Sequence, residues 1–133
     1  AIAARAQGAK VFCCELHPRN VAALRANGFM VWEDDFLQLD PEMFRPFDRV
    51  VMNPPFTGGQ EYEHVKHAAR FLKPGGVLRS VMSPAVSTGR QRKDDVFRNW
   101  LASVERFEVQ DLPEASFKES GTNINTVLLH LVK

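Results

Sequence analysis

The sequence predicts an α/β fold, a doubly wound and mostly parallel sheet that closes with a C-terminal antiparallel hairpin. Short apolar runs alternate with segments of helical periodicity through residues 10–103, which is typical of strands joined by crossover helices. The last two apolar runs, 106–112 and 125–132, have no crossover helix between them and should pair antiparallel. With 133 residues and 44% hydrophobic content, the chain is predicted to be one domain, 1–133.

The first half of the chain is divided by proline, glycine and acidic turns. Its predicted elements are a helix over 1–9, a strand over 10–14, a helix from Pro18 to Ala26, and strands over 29–32 and 47–52. The nearly continuous apolar run 10–14 predicts a strand covered on both faces. Its neighbouring cysteines, Cys13 and Cys14, are expected to be free, packed thiols, because a disulfide between adjacent residues is strained.

The second half continues the alternation with two predicted helices. The first spans 61–72 and ends at the Lys73-Pro74-Gly75-Gly76 breaker; a strand over 77–82 and a loop over 83–92 follow, and then a helix near 95–103. Helical spacing places the following residues on the buried faces of the two helices: Val65, Ala68, Ala69 and Leu72 on the first, and Val96, Phe97, Trp100 and Leu101 on the second.

Charge is balanced overall but not locally. The formal net charge is +1, whereas residues 64–98 hold eight basic side chains against Asp94 and Asp95. Such a zone either meets phosphates or is an ordinary solvated face. No apolar run reaches the roughly 18 to 20 residues of a membrane span, and no signal peptide is visible, so a soluble cytoplasmic protein is predicted.

The most informative motif is Asn53-Pro54-Pro55-Phe56, which directly follows the predicted strand 47–52. In open parallel sheets, ligands bind beyond the carboxyl ends of the strands, where this loop is expected to lie. Two consecutive prolines fix the backbone, so the carbonyl groups of Asn53 and Pro54 are held in place before a ligand arrives. The alternative is a rigid turn that leaves a strand without a catalytic role.

This loop resembles the catalytic motif of class I S-adenosylmethionine-dependent methyltransferases that modify exocyclic amino groups, notably the DNA adenine-N6 enzymes. The resemblance implies a Rossmann-like fold, S-adenosyl-L-methionine as the cofactor and catalytic roles for Asn53, Pro54, Pro55 and Phe56. The carbonyls of Asn53 and Pro54 would accept the hydrogens of the amine, and Phe56 would stack on a planar base. No metal is expected to take part.

The same resemblance assigns cofactor contacts at the ends of the strands. The carboxylate of Glu15 would bind the ribose hydroxyls and that of Asp35 the adenine amino group, while Asp34 is an equally plausible acceptor. The full set of implied cofactor residues is Glu15, Leu16, Asp35, Phe36 and Asn53. The alternatives are a solvated acidic turn and, for Leu16, an ordinary core leucine.

Segment 116–122 resembles the target-base loop of the family, and Phe117 could stack the base opposite Phe56. The alternative for Phe117 is a buried loop anchor. His64 and His67 lie three residues apart on one helical face, but a zinc site needs more ligands than these, so helix-surface histidines are expected.

One departure from the family concerns the start of the fold. Stretches 52–84 and 118–126 look most like methyltransferase-like proteins of phages and mobile elements, yet the first strand of the family and its Gly-rich cofactor loop are missing. That strand normally lies between strands 10–14 and 47–52. The chain is therefore expected to be N-terminally truncated, with the gap bridged by pairing of the two neighbouring strands or by a strand of another chain in a homo-oligomer.

The leading functional prediction is methyl transfer to adenine N6 in DNA, with nucleic acid as the partner. Guanine-N2 methylation of RNA and glutamine methylation of protein use similar loops and stay open as alternatives. A noncatalytic module that keeps the fold is the alternative from a different class.

Overall fold

Two compact units, Ala1–Asp40 and Pro41–Lys133, make up the chain in the computed structural model, which describes residues 1–113 and 125–133. Each unit has its own sheet, so each is described by itself. A single domain over 1–133 stays a prediction. In the described part of the chain, no helix has both the length and the apolar character that crossing a bilayer requires.

The first unit is a small α/β layer with two parallel strands. Its elements in order are α1 (Ile2–Ala6), β1 (Phe12–Cys14), α2 (Pro18–Ala26) and β2 (Met30–Trp32). Strands β1 and β2 pair in parallel, so their carboxyl ends, Cys14 and Trp32, lie opposite each other. Helix α2 begins with a proline in its first turn and is followed by Gly28 at φ 75°, as its start and stop signals predict.

The second unit holds a mixed four-stranded sheet. Its elements in order are β3 (Phe47–Met52), α3 (Gln60–Arg70), β4 (Leu72–Met82), α4 (Ala85–Thr88), α5 (Arg92–Leu101), β5 (Arg106–Asp111) and β6 (Val127–Val132). The strand order is β3-β4-β6-β5, with β3 and β4 parallel and the other pairs antiparallel. The predicted α/β class and its C-terminal antiparallel hairpin are thus confirmed.

Helix α3 is the crossover between the parallel strands β3 and β4. The face predicted for it is confirmed, since Val65, Ala68 and Ala69 are buried. The helix ends at Arg70, two residues before its predicted end, because the carbonyl of Phe71 accepts the backbone N–H of Phe47 at 2.7 Å and draws the chain into the sheet. Leu72 is buried as expected but belongs to β4.

Helix α5 starts at Arg92, three residues before its predicted start near Asp95. The cause is a reciprocal cap in which the side chains of Gln91 and Asp94 each accept the backbone N–H of the other residue. Phe97 and Leu101 are buried as predicted, whereas Val96 is 48% exposed, so its placement on the inner face was wrong. The Phe97 ring stacks on Tyr62 with 4.4 Å between ring centroids, so the buried stripe of α5 runs through Phe97 and Leu101 and leaves Val96 outside it.

Strands β1 and β3 each have one paired neighbour among the described residues. Within the described residues β1 pairs only with β2 and β3 only with β4, so the first expected way of bridging the gap, pairing of 10–14 with 47–52, is not observed. The prediction that strand 10–14 is covered on both faces was also wrong, since Phe12 is 44% exposed. A two-stranded sheet with one neighbouring helix cannot cover both faces of its strands.

Candidate active site

The Asn-Pro-Pro-Phe loop leaves the carboxyl end of β3 and reaches the start of α3. Asn53 is exposed, Pro54 is buried and Phe56 is half-buried, so the loop is fixed at Pro54 while Asn53 faces solvent. The chain then turns through Gly58 and Gly59, whose φ angles of 70° and 83° suit glycine. The two prolines and this turn hold the loop without any help from regular structure.

Phe56 lines a cavity of about 230 Å³, the Phe56 cavity, between the loop, the first turn of α3 and the start of α5. Its wall includes Glu61 and Tyr62 from α3, Ser83 beyond β4, and Asp94 from α5. Every one of these elements ends or begins at the carboxyl edge of the parallel strands. The cavity therefore lies where open α/β sheets bind their ligands.

Two carboxylates are buried in the wall of the Phe56 cavity, and both are 2% exposed. Asp94 accepts hydrogen bonds on both oxygens, from the Tyr62 hydroxyl at 2.7 Å and from the backbone N–H of Gln91 at 2.8 Å. Glu61 accepts one, from the Ser83 hydroxyl to Oε1 at 2.7 Å. Its Oε2 is buried and has no hydrogen-bond partner among the described residues.

The electrostatics of Asp94 are those of a structural carboxylate. Desolvation opposes its ionisation, but hydrogen bonds from Tyr62 and Gln91 and the charges of Lys93 and Arg98 lower the pKa of Asp94. Burial, together with the hydrogen bond to Asp94, raises the pKa of the Tyr62 hydroxyl. Asp94 thus adds stability above its normal titration range, which is lost as pH falls through the lowered pKa.

A second, more open concavity of about 450 Å³, the cationic groove, runs along α3 and α5. Lys66, Arg92 and Lys93 contribute positive charge to its wall, against the single carboxylate of Glu63. The cationic groove and the Phe56 cavity share Gly58, Gly59, Tyr62 and Lys93, so the two are adjacent.

Other basic side chains of the 64–98 zone have structural partners. Lys73 pairs with Asp48, and Arg79 donates from Nε to His130 at 3.2 Å. Arg98 pairs with Asp95 at 2.7 Å and donates to the carbonyl of Gly89 at 2.8 Å. The basic side chains of this zone that line a concave surface are Lys66, Arg92 and Lys93 in the cationic groove, with Arg90 and Lys93 in the Phe56 cavity.

Carboxylates predicted to contact the cofactor lie together at one end of the first unit. The backbone N–H of Glu15 donates to the carbonyl of Trp32 at 3.0 Å, which brings Glu15 beside the segment that starts at Glu33. The Glu15 carboxylate accepts from the backbone N–H of His17 at 2.8 Å and from the Asn20 side chain at 3.1 Å. These bonds orient the carboxylate at the carboxyl end of β1.

Asp34 and Asp35 occupy the matching turn after β2. Asp35 caps the short 3-10 turn Phe36–Gln38 by accepting the N–H of Leu37 at 3.0 Å. Asp34 accepts the N–H of Asp35 at 2.8 Å, and its carbonyl accepts the Cys14 thiol at 3.5 Å. Phe36 is half-buried, whereas Leu16 is 65% exposed, so the alternative of a core leucine was wrong.

Both cysteines are free thiols, as expected. Measured by the exposure of the whole residue, Cys13 is half-buried and Cys14 is exposed. Partial desolvation, followed by the negative charges of Asp34, Glu15 and Asp35, raises the pKa of the Cys14 thiol to about 11. The thiol therefore senses the combined field of the three carboxylates.

Replacing Asp34 with asparagine should lower the pKa of Cys14 and speed its alkylation by iodoacetamide at about pH 9 severalfold, because the thiolate is then opposed by less negative charge. The rate is measured by mass spectrometry in a Cys13→Ser background. Glu33→Gln is the control, since the Glu33 carboxylate is paired with Arg25 at 3.0 Å. An equal rate in all three proteins would show that the carboxylates do not act on Cys14.

The remaining residues singled out in the sequence are Phe117, His64 and His67. Phe117, the predicted second stacking ring, lies outside the described residues. His64 and His67 are half-buried rather than exposed, and His67 packs edge-on against Phe71 with 5.2 Å between ring centroids. Among the residues that the structure describes, no three His, Cys, Asp or Glu side chains are grouped as a metal site would need.

The carboxyl end of the first unit fits the adenosine part of S-adenosyl-L-methionine. Glu15 and Asp35 supply acceptors for hydroxyl and amino donors, and the exposed Leu16 side chain supplies an apolar surface for a ring. The cofactor contacts of these residues stay a prediction.

Sequence similarity identifies the family to which the chain belongs. The sequence model of the family described as methyltransferase small domain matches residues 3–109, about four fifths of the chain. The chain belongs to the methyltransferase small domain family. This match spans residues from both compact units. No curated protein matches the chain in sequence.

Solved structures with this fold come from several kinds of methyltransferase. An rRNA methylase from Streptococcus thermophilus is 16% identical with a TM-score of 0.58, covering 93% of this chain and 73% of its own. The N-methyltransferase NodS from Bradyrhizobium japonicum, in complex with S-adenosyl-L-homocysteine, is 17% identical with a TM-score of 0.62, covering 93% and 66%. The M protein of the type I restriction enzyme EcoKI is 21% identical with a TM-score of 0.67, covering 90% and 30%.

These likenesses confirm the predicted Rossmann-like fold of this methyltransferase domain. The predicted cofactor, S-adenosyl-L-methionine, is confirmed by membership of the family. The NodS structure was solved with S-adenosyl-L-homocysteine. S-adenosyl-L-homocysteine is what remains of that cofactor once its methyl group has been given up.

Proposed function

We propose that this chain carries an N-methyltransferase that moves a methyl group from S-adenosyl-L-methionine to an exocyclic amino group of a nucleobase. The observation that carries the proposal is the loop after β3, where Asn53 is exposed on a backbone fixed by the buried Pro54, next to a cavity lined by Phe56. The loop thus offers polar acceptors and an aromatic wall side by side.

The residue types of the loop suit this chemistry. An amino nitrogen on an aromatic ring is a weak nucleophile, because its lone pair is delocalised into the ring. Two acceptors aimed at its hydrogens, the side-chain carbonyl of Asn53 and the backbone carbonyl of Pro54, favour a pyramidal nitrogen and stabilise its growing positive charge. The cofactor, when bound, supplies an activated methyl on a sulfonium leaving group. Phe56 holds the ring of the base.

The cofactor contacts are proposed for the acidic end of the first unit. Glu15 would bind the ribose hydroxyls and Asp35, or Asp34, the adenine amino group, with Leu16 and Phe36 beside the ring. A strand between β1 and β3, supplied by an upstream segment or by another chain, stays a prediction, as does the cytoplasmic location.

Nucleic acid is the proposed partner because the cationic groove lies next to the Phe56 cavity and shares four lining residues with it. The names of two structural neighbours, an rRNA methylase and a restriction-enzyme M protein, also support a nucleic-acid substrate. The resemblance of the loop to that of the DNA adenine-N6 enzymes favours adenine N6 in DNA as the methylated position. Guanine N2 in RNA is the second candidate, favoured by the acceptor that Glu61 leaves open in the cavity.

The proposal is tested by incubating the protein with tritiated S-adenosyl-L-methionine and separate pools of DNA, RNA and protein. Label is expected in a nucleic-acid pool. Label confined to protein would contradict a nucleobase substrate and favour glutamine methylation. No label in any pool, although the cofactor binds, would support a noncatalytic module.

The cationic groove predicts a specific salt dependence. Removing two phosphate-facing charges with Arg92→Ala and Lys93→Ala should weaken binding to unmethylated nucleic acid and lower the slope of log K against log salt by about 1 for each charge. Fluorescence anisotropy over a salt series measures this slope. Lys73→Ala is the matched control, because Lys73 is paired with Asp48 outside the groove. Equal slopes in all variants would show that the groove does not take part in binding nucleic acid.

A further inference from the structure

Glu61 differs from the other carboxylate in the wall of the Phe56 cavity. Asp94 has a hydrogen-bond donor on each oxygen, whereas Glu61 has one on Oε1 only. Buried polar atoms in folded proteins are rarely left unpaired, so an open carboxylate oxygen at a cavity wall indicates a missing donor. Glu61 lines the cavity, and the last side-chain torsion of glutamate is broad, so the proposed role requires a turn of the carboxylate that presents Oε2 to a ligand.

The chemistry of a carboxylate defines what the cavity can bind. An ionised carboxylate only accepts hydrogen bonds, so the bound group must offer an N–H or O–H to Glu61. The volume of about 230 Å³ is below the roughly 300 to 1,000 Å³ of sites for drug-sized ligands, and it suits a single heterocycle. Phe56 provides a ring face in the same wall.

We propose that Glu61 is a specificity-determining residue whose open oxygen accepts a ring N–H next to the reacting amine of the base. This inference rests on the proposed function, in which the carbonyls of Asn53 and Pro54 take the two hydrogens of that amine. Glu61 then needs a different donor on the same ring. The acceptor favours a base in which the amine and a ring N–H are neighbours.

Guanine and adenine differ in whether a ring N–H adjoins the amino group. In guanine the 2-amino group adjoins the N1–H, so a base bound by its 2-amine presents a donor to Glu61. In adenine the ring nitrogen beside the 6-amino group is an acceptor, and it would face the carboxylate lone pairs with no hydrogen between them. Leaving polar groups unpaired in this way is a strong source of discrimination in binding sites.

The role of Glu61 is tested with oligonucleotides that carry guanine, 2-aminopurine or adenine at one position within random flanks. 2-Aminopurine keeps the 2-amine of guanine but lacks the N1–H. Mass spectrometry of the released nucleosides gives the relative kcat/KM for each base. The wild-type protein is expected to prefer guanine over 2-aminopurine at least tenfold, and Glu61→Gln should bring this ratio close to one, because an amide can donate as well as accept.

Two further variants separate recognition from folding. Ser83→Ala removes the donor that orients Glu61 and should also lower the ratio. Leu129→Ala, in the core of β6 and outside the cavity, should lower the unfolding midpoint and leave the ratio unchanged. Glu61→Gln should leave the unfolding midpoint unchanged or raise it, since it removes a buried charge with an open oxygen.

The outcomes distinguish the two proposals. A guanine to 2-aminopurine ratio that is the same in the wild type and in Glu61→Gln and Ser83→Ala would overturn the role of Glu61 while leaving methyl transfer intact. Preference of the wild type for adenine would overturn it as well. Transfer to none of the three bases would instead remove the proposed function.

Discussion

Replacing Asn53 with alanine is expected to lower kcat/KM for methyl transfer by about 100- to 1,000-fold, the loss typical when one preorganised polar group is removed from an active site. The side-chain carbonyl is one of two acceptors for the reacting amine, and nothing else at this point of the loop can replace it. Binding of the nucleic acid should change little, because the groove charges remain. Steady-state kinetics with labelled cofactor measure the effect.

The control for Asn53 is Asn99→Ala, which removes an exposed asparagine from α5 outside both concavities. It should retain full activity. Asn53→Asp keeps a side-chain acceptor and should retain more activity than Asn53→Ala. Equal activity of Asn53→Ala and the wild type would contradict a catalytic role for this residue.

Replacing Phe56 with alanine should have the second largest effect, about 5- to 150-fold in kcat/KM, which corresponds to the roughly 1–3 kcal/mol of one base-stacking contact. The half-buried ring lines the cavity, so its loss also enlarges the space and loosens the base. Stopped-time assays at several substrate concentrations separate KM from kcat.

Phe56→Tyr preserves the ring face and is expected to stay within a few-fold of the wild type. Phe107→Ala removes a phenylalanine of β5 that is 43% exposed, outside the cavity, and should not change the kinetics. A loss in Phe56→Ala no greater than that in Phe107→Ala would mean that the base does not stack on Phe56.

Local signals were enough for much of the fold. The proline at the start of α2 and the apolar spacing of α3 act within a few residues, and the structure has the corresponding start and buried face. Segment 73–76 was expected to separate the helix from a strand over 77–82, but it lies within β4, which already begins at Leu72. The antiparallel hairpin followed from the absence of a helical segment for a crossover between the last two apolar runs. Asn53 was singled out because the Asn-Pro-Pro-Phe loop resembles a catalytic motif of the family, and its catalytic role stays a prediction.

The wall of the Phe56 cavity could not be predicted, because its bonds join distant parts of the chain. Tyr62 and Asp94 are separated by 32 residues, and Ser83 and Glu61 by 22. In sequence, Glu61 is one of several acids near the start of a helix, and only its burial beside Ser83 sets it apart. The capping pair Gln91 and Asp94 was the one signal that could have located the start of α5.

Strand 10–14 shows a different kind of error. Its apolar composition indicates a strand made for a covered sheet, yet Phe12 and Cys14 are exposed beside a single neighbouring strand. Sequence composition reports the environment that a strand is suited to, whereas the structure reports the neighbours that it has. The two agree only if a further strand occupies the open edge of the first unit, which is what the resemblance to the family predicts.

The most direct test of the central claim is the chemical identity of the methylated product. Nucleic acid treated with the protein and S-adenosyl-L-methionine is hydrolysed to nucleosides, and the position of the new methyl group is read by tandem mass spectrometry. If the carbonyls of Asn53 and Pro54 accept the hydrogens of the reacting amine, the new methyl group is expected on an exocyclic nitrogen. A methyl on a ring carbon, a ring nitrogen or a ribose oxygen would contradict it.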